Sequence, residues 1–334
     1  MSFTAAHTYS HTKEGLMSAL AQIQDQKQSI EFKHILAATD FSDASQRALD
    51  YALAIARQYG SALSVVHAIP PEPREPIPIK PLPRELNRRR LEAEQQMKRL
   101  GEDARINHVT DHLLVEQGRV WDVLASVVQR ENVDLLVLGT RGRGGLKKIA
   151  LGSVAEEVLR LASGPVLTIG PNVPAAGFGA TEFRRILFAT DFGPASAKAF
   201  PYALSLAEDY RAKLVLLHMA PLMPIPDLGP AAYGPAVYGA EALTKWQGTT
   251  RDESARMLRE LLPPNTKLAS EPEYVVGLDF LPEGILHTAT AHRIDLIVMG
   301  ANRTAFPRVA AHIPWALTHE VTCHAKCPIL TVSN

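Results

Sequence analysis

The sequence predicts an α/β fold built twice over, each copy a parallel sheet with helices on both faces. Two observations carry this. Short apolar runs rich in β-branched residues alternate with amphipathic segments of helix length. Strands that are apolar on both faces belong to a parallel sheet covered above and below. The chain also repeats. "ILAATDFSDASQRALDYALAIARQYGSALSVVHAI", from Ile35, and "ILFATDFGPASAKAFPYALSLAEDYRAKLVLLHMA", from Ile186, align without a gap, with 16 of 35 positions identical. "VDLLVLG" at 133 answers "IDLIVMG" at 294, and "GPVLTIG" at 164 answers "CPILTVS" at 327. A repeat of this period sets the architecture before any local reading. It gives an N-terminal extension over residues 1–30, a first domain over 31–171, a linker over 172–182 and a second domain over 183–334.

The elements of the first repeat follow in order. "HILAAT" is a short buried strand. The next segment, from about Ser42 to Tyr59, is a helix whose apolar positions Leu49, Leu53 and Ala56 recur at helical spacing. "ALSVVHAI" is the second strand. A charged segment from about Arg84 to Arg105 keeps Leu86, Leu91 and Met97 in period, which predicts a solvated helix with one buried face. "DHLLVEQ" is the third strand, "VWDVLASVVQR" a third helix and "DLLVLG" a fourth strand. A last helix opens near Ser153, and "PVLTIG" closes the unit. The crossovers should be right-handed. Proline marks one irregular connection per repeat, "PPEPREPIPIKPLP" and "PLMPIPDLGPAAYGPAVYG". Proline neither donates to a ladder nor continues a helix, so both read as extended surface loops, either stiff connections or lids. The N-terminal "KEGLMSALAQIQDQ" reads as a short docked helix or as a disordered lead.

Thirty-five basic residues balance thirty-five acidic ones, which argues against a broad nucleic-acid or membrane surface while leaving room for a local anion site. No apolar run reaches the roughly 18–20 residues of a membrane span, and the N-terminus lacks the apolar centre of a signal peptide. A soluble cytoplasmic protein is the expectation. The two cysteines, Cys323 and Cys327, are too few for a disulfide framework. With His319 they fall at helical spacing, but in no standard zinc pattern, so a core role for Cys323 is expected rather than a metal site. His67 and His218 recur at the end of the second strand and read as buried structural groups, with a catalytic base as the minority reading.

The chemistry concentrates in "GTRGRGGLKKIALGSVAEEV", residues 139–158. Gly139 ends a strand, Gly142 follows, and Gly152–Ser153 open a helix nine residues later. Bare backbone lets N–H groups approach phosphate oxygens. Ser153 can cap the helix, and its hydroxyl can also donate to a phosphate; the helix N-terminus adds unsatisfied donors and about half a positive charge. Arg141, Arg143, Lys147 and Lys148 supply charge between. The set reads as a phosphate cradle. It is neither a Walker loop nor a dinucleotide fingerprint, because the first strand is followed by "ATDFSDAS".

Gly139-x-x-Gly142, nine residues, then Gly152–Ser153, with "TDFS" after the first strand and "VVHAI" at the second, resembles the universal stress protein family over both repeats, from Glu31 to Ser333. The resemblance implies two tandem flavodoxin-like domains, of the adenine nucleotide alpha hydrolase-like kind. Each would have a five-stranded parallel sheet in the order 3-2-1-4-5. It implies ATP binding in the motif-bearing branch, and a homodimer. Carried over by position, Ala38, Thr39 and Asp40 line the first-strand edge facing adenosine, with the Asp40 carboxylate accepting from ribose hydroxyls or holding Mg²⁺. Helix capping is the competing role for Asp40. Ala68 offers its backbone to adenine. Gly139, Gly142, Gly152, Ser153 and Val154 form the phosphate-binding backbone, and Arg141 is an added contact on chemical grounds.

The second repeat departs from this pattern. Gly300 survives, but Arg303 stands for Gly142 and Trp315–Ala316 for Gly152–Ser153. It is expected to bind ATP poorly or not at all, and to pair with the first repeat edge to edge through "PVLTI" and "PILTV". The expected function is an ATP-binding stress or regulatory protein. A weak Mg-dependent ATPase or phosphotransferase, and a scaffold holding AMP or a cyclic nucleotide, are the alternatives. No general base is evident for phosphoryl transfer.

Overall fold

The computed structural model describes residues 30–71, 83–103, 106, 109–140, 151–175, 183–220, 240–278, 280–301 and 314–333. The first repeat runs β1 (His34–Ala38), α1 (Asp43–Tyr59), β2 (Ala62–Ile69), α2 (Pro83–Gly101), β3 (Thr110–Gln117), α3 (Val120–Arg130), β4 (Leu135–Gly139), α4 (Ser153–Leu161) and β5 (Pro165–Ile169). The second runs β6 (Arg185–Thr190), α5 (Pro194–Asp209), β7 (Lys213–Met219), α6 (Ala240–Glu260), β8 (Glu273–Gly277), α7 (Leu281–Ala291), β9 (Leu296–Ala301), α8 (Pro314–His324) and β10 (Ile329–Ser333). The second helix stops at Gly101, short of the expected Arg105. Both proline-rich loops and most of the N-terminal extension lie outside the described residues.

By contacts the chain divides into two compact units. One holds the described residues within 31–182 and 303–333, the other Ile30 and the described residues within 183–302. The units therefore part from the repeat boundaries at the C-terminus, where β10 sits with the first unit. In that unit the strands follow β3-β2-β1-β4-β5-β10. Its first five are parallel neighbours in the order 3-2-1-4-5. β10 lies antiparallel on β5, with Leu330 opposite Leu167, which is the expected pairing of "PVLTI" with "PILTV". In the second unit β9, β6, β7 and β8 are parallel neighbours in that order.

Local chemistry explains the elements. Ser42 caps α1 by accepting the Ser45 N–H, Asp43 sits in the first turn, Arg57 in the last, and Gly60 ends the helix at φ 64°. Leu49, Leu53 and Ala56 all turn inward. On the other face of the first sheet, Leu124 and Val127 of α3 and Ala155, Val158 and Leu159 of α4 pack on Leu36, Val66, Leu136 and Val166. Burying each large aliphatic side chain is worth roughly 1.5–3 kcal/mol. Cys323 is part of this core, as expected.

The amino edges of the sheets carry matched polar clusters. Asp134 Oδ2 accepts the N–H groups of Lys33 and His34, and Asp295 Oδ2 those of Arg184 and Arg185. Beside them a histidine–glutamate pair is exchanged between repeats. In the first unit His112 on β3 faces Glu131 at the end of α3 at 3.7 Å. In the second, Glu273 on β8 faces His292 at the end of α7 at 3.3 Å. Burial works to raise the Glu131 pKa. The Ser64 hydroxyl, donating at 2.7 Å, and then His112, His34 and Arg130 outweigh it and hold the carboxyl below its ordinary value. Glu273 is likewise held low against its burial by His292, Lys213 and Arg185.

Candidate functional site

β1 lies between β2 and β4, so the strand order reverses beside it, and open α/β sheets bind ligands past the strand ends at such a point. Thr39 carries the register one step beyond β1, its N–H donating to Val66 O at 2.9 Å. In a parallel ladder both peptide groups of a residue face the same side, alternating along the strand. Ala68, two residues past Val66, therefore turns its peptide edge toward the space beyond the end of β1. Ala38, Ala68 and Val154 all pack at the margin of the same core.

The turn after β1 is tightly determined. Phe41 adopts φ 63°, a left-handed conformation costing a bulky residue about 1–2 kcal/mol. Thr39 Oγ1 accepts the Phe41 N–H at 3.0 Å, and the Phe41 ring lies on His67 with centroids 4.6 Å apart. His67 Nδ1 is 2.8 Å from Thr39 O; a carbonyl only accepts, so Nδ1 carries the proton and the ring is fixed. This is the structural role expected of the histidine. Asp40 Oδ1 accepts from Ser42 N–H at 3.1 Å and Ser42 Oγ–H at 2.6 Å. The carboxylate thus braces Ser42, which is itself the N-cap of α1, so Asp40 is not the capping carboxylate of the alternative reading.

The glycines have packing roles that the sequence reading did not give. A Cβ on Gly139 would stand 2.7 Å from Ala44 C and O, so its missing side chain is what lets α1 lie against β4. Gly300 shows the same contact more tightly, 2.3 Å from Ala195 C, in the repeat whose cradle is lost. Packing alone therefore calls for bare backbone at both positions. Ser153 is not the cap it was expected to be. Gly152 occupies the N-cap at φ −67°, ψ 145° with no side-chain cap bond, and Ser153 is the exposed first helical residue. The Gly152 N–H is held by Thr140 O at 2.8 Å, which starts α4 directly beyond β4. Glu156 makes the first intrahelical bond, to Gly152 O, so the N–H groups of Ser153, Val154 and Ala155 precede it at the dipole's positive end. Arg141, Gly142, Arg143, Lys147 and Lys148 lie outside the described residues.

The second unit reproduces the turn. Phe192 has φ 60°, His218 Nδ1 lies 2.8 Å from Thr190 O, and the Phe192 and His218 rings are 4.5 Å apart. Burial pushes the His218 pKa down against the Thr190 carbonyl and Asp191. Asp191 Oδ1 accepts from Gly193 N–H at 2.9 Å and Ser196 Oγ–H at 2.6 Å. What differs is access. Ala38, Thr39, Phe41 and Ala68 are partly exposed, whereas Ala189, Thr190, Phe192 and Met219 are 8%, 8%, 3% and 9% exposed. Arg303 and the Trp315 side chain lie outside the described residues. The left-handed phenylalanine and its histidine lock were missed in the sequence, although "DF" and the later histidine recur in both repeats.

The universal stress protein family matches residues 31–170 and 182–333. The chain belongs to that family. Curated universal stress proteins match one repeat's length. One from Thermus aquaticus is 37% identical over 142 residues, covering 41% of this chain and 98% of the relative. A Coxiella burnetii universal stress protein A homolog is 32% identical over 143 residues, covering 42% and 97%. Two solved structures span both repeats and share the fold. A universal stress protein from Archaeoglobus fulgidus has a TM-score of 0.60 at 18% identity, covering 91% of this chain and 98% of that one. A functionally unknown protein from Pseudomonas aeruginosa has a TM-score of 0.56 at 14% identity, covering 90% and 92%. Among the described residues of this universal stress protein, no helix is long and apolar enough to cross a membrane. Nor do they include a group of three or more His, Cys, Asp or Glu side chains placed to hold a metal ion. Cys323 Sγ is 4.0 Å from His319 Nε2.

Proposed function

We propose that the first unit binds one adenine nucleotide, ATP, and that the second binds none, the protein acting in stress response or regulation rather than as a fast enzyme. The observation that supports this most is the contrast in access: an open carboxyl edge at Ala38, Thr39 and Ala68, against buried counterparts in the second unit. The base meets the peptide edge of Ala68. The Asp40 carboxylate, oriented by Ser42, accepts from the ribose hydroxyls. The phosphates lie at the N-terminus of α4, over the N–H groups of Ser153 and Val154, with Gly142 and Arg141 completing the cradle.

Mass spectrometry of nucleotide released from the purified protein, with calorimetric stoichiometry, tests this. One adenine nucleotide per chain is expected; two per chain, or none, refutes it. Turnover measured with and without Mg²⁺, in wild type and Asp40→Ala, separates binding from hydrolysis. Asp40-dependent turnover with ATP still bound would mark an enzyme.

A further inference from the structure

The start of α4 is set from outside the helix. Gly152, at its N-cap, has no side chain to offer a cap bond. Two contacts fix it instead. Leu151 puts its side chain into the core of the first unit, 8% exposed. The Gly152 N–H donates to Thr140 O at 2.8 Å. Thr140 is itself pinned: its N–H donates to Ile169 O at 3.0 Å, and its hydroxyl donates to the same carbonyl at 3.3 Å. A carbonyl oxygen has two lone pairs and can take both. Ile169 ends β5, so this one residue ties the first turn of α4 to the carboxyl edge of the sheet. Thr140 is 2% exposed and its hydroxyl is held on Ile169, so it acts through the backbone rather than on a ligand. In the second repeat Ala301 follows Gly300 as Thr140 follows Gly139, and it carries no hydroxyl.

We propose that Thr140 is a positioning residue for the phosphates: its hydroxyl steadies the peptide that receives the Gly152 N–H, and so fixes where the Ser153 and Val154 N–H groups point. This rests on the reading that the phosphates lie at the N-terminus of α4. Donors held in place before the ligand arrives lose little freedom when it binds. A ligand without phosphates gains nothing from this clasp, so Thr140 should weigh on ATP and not on adenosine.

Two measurements test it. The first is calorimetric titration of wild type, T140V and T140S with ATP and with adenosine. T140V keeps the shape and loses the hydroxyl; T140S keeps the hydroxyl. T140V should weaken ATP about fivefold, the net worth of one hydrogen bond, and leave adenosine within about twofold. T140S should stay within about twofold of wild type for both. Unchanged ATP affinity in T140V, an equal loss for adenosine, or T140S as weak as T140V would overturn the proposal. The second, amide hydrogen exchange followed by NMR, reads the clasp without any nucleotide. In T140V the Gly152 amide should exchange about fivefold faster relative to the Val137 amide in β4. An unchanged ratio would show that the hydroxyl does not fix the helix start. If wild type takes up no ATP, the functional reading falls, and the exchange ratio still decides whether Thr140 holds α4.

Discussion

Adding one methyl group at Gly139 or Gly300 separates a packing role from a phosphate-binding one. A Cβ essentially never approaches a non-bonded heavy atom closer than 3.0 Å. At Gly139 the shortfall to Ala44 C and O is 0.3 Å, and at Gly300 the shortfall to Ala195 C is 0.7 Å. The obstructing atoms are helix backbone, so the whole first turn of α1 or α5 must retreat. Overpacking of this kind costs typically 1–3 kcal/mol. Gly139→Ala is expected near the lower end and Gly300→Ala near or above the upper end. For units of this size each kcal/mol moves the midpoint roughly 2–4 °C. Thermal unfolding followed by circular dichroism should show both losses, with Gly300→Ala the larger. Calorimetry on folded Gly139→Ala should show ATP affinity altered only as far as α1 carries Ser42 and Asp40 with it. Unchanged stability in both variants, or abolished ATP binding in Gly139→Ala at an unshifted midpoint, would refute the packing argument.

Other outcomes follow from the same contacts. Ser42→Ala removes the α1 cap and a donor to Asp40, and should cost about 1 kcal/mol in urea unfolding. Gly142→Asp should abolish ATP binding in a folded protein by setting a carboxylate against the phosphates; retained affinity in a titration would count against the cradle. Glu131 and Glu273 sit below their ordinary 4.5, so their contribution is complete above that pH and lost as pH falls through the lower folded values. Urea midpoints measured against pH should drop on the acid side, and Glu131→Gln should flatten the drop. His218 is pushed below 6.5, so the unfolded chain takes up this proton first and the second unit weakens as pH falls past 6.5. Its chemical shift titration should show the depressed value.

Much of this was legible in the residues. The repeat set the order of elements, because the same succession of apolar runs and helical segments recurs in both copies, and "VWDVLASVVQR" became α3 end to end. The apolar period gave a helix from about Ser42 to Tyr59, and α1 runs from Asp43 to Tyr59. What stayed hidden depended on distance between segments far apart in sequence. That Gly139 faces the backbone of Ala44 needs the approach of α1 to β4, and the hold of Thr140 on Ile169 needs the pairing of β4 with β5. The Ser153 error was of another kind. A serine at a helix start suggests a cap, but Thr140 O holds the preceding glycine's N–H and sets the boundary one residue earlier.

The exchanged pair at the amino edges bears on how a chain with two near-copies of itself reaches its native state. Sibling segments of one polypeptide are close enough in sequence to trade places during folding, a hazard of tandem arrays. If β8 were to dock where β3 belongs, Glu273 would meet Glu131, two carboxylates in place of a histidine–glutamate contact; the reciprocal error would set His112 against His292. Opposite polarity at matching sites thus works as an address, making each edge strand a poor substitute for its twin.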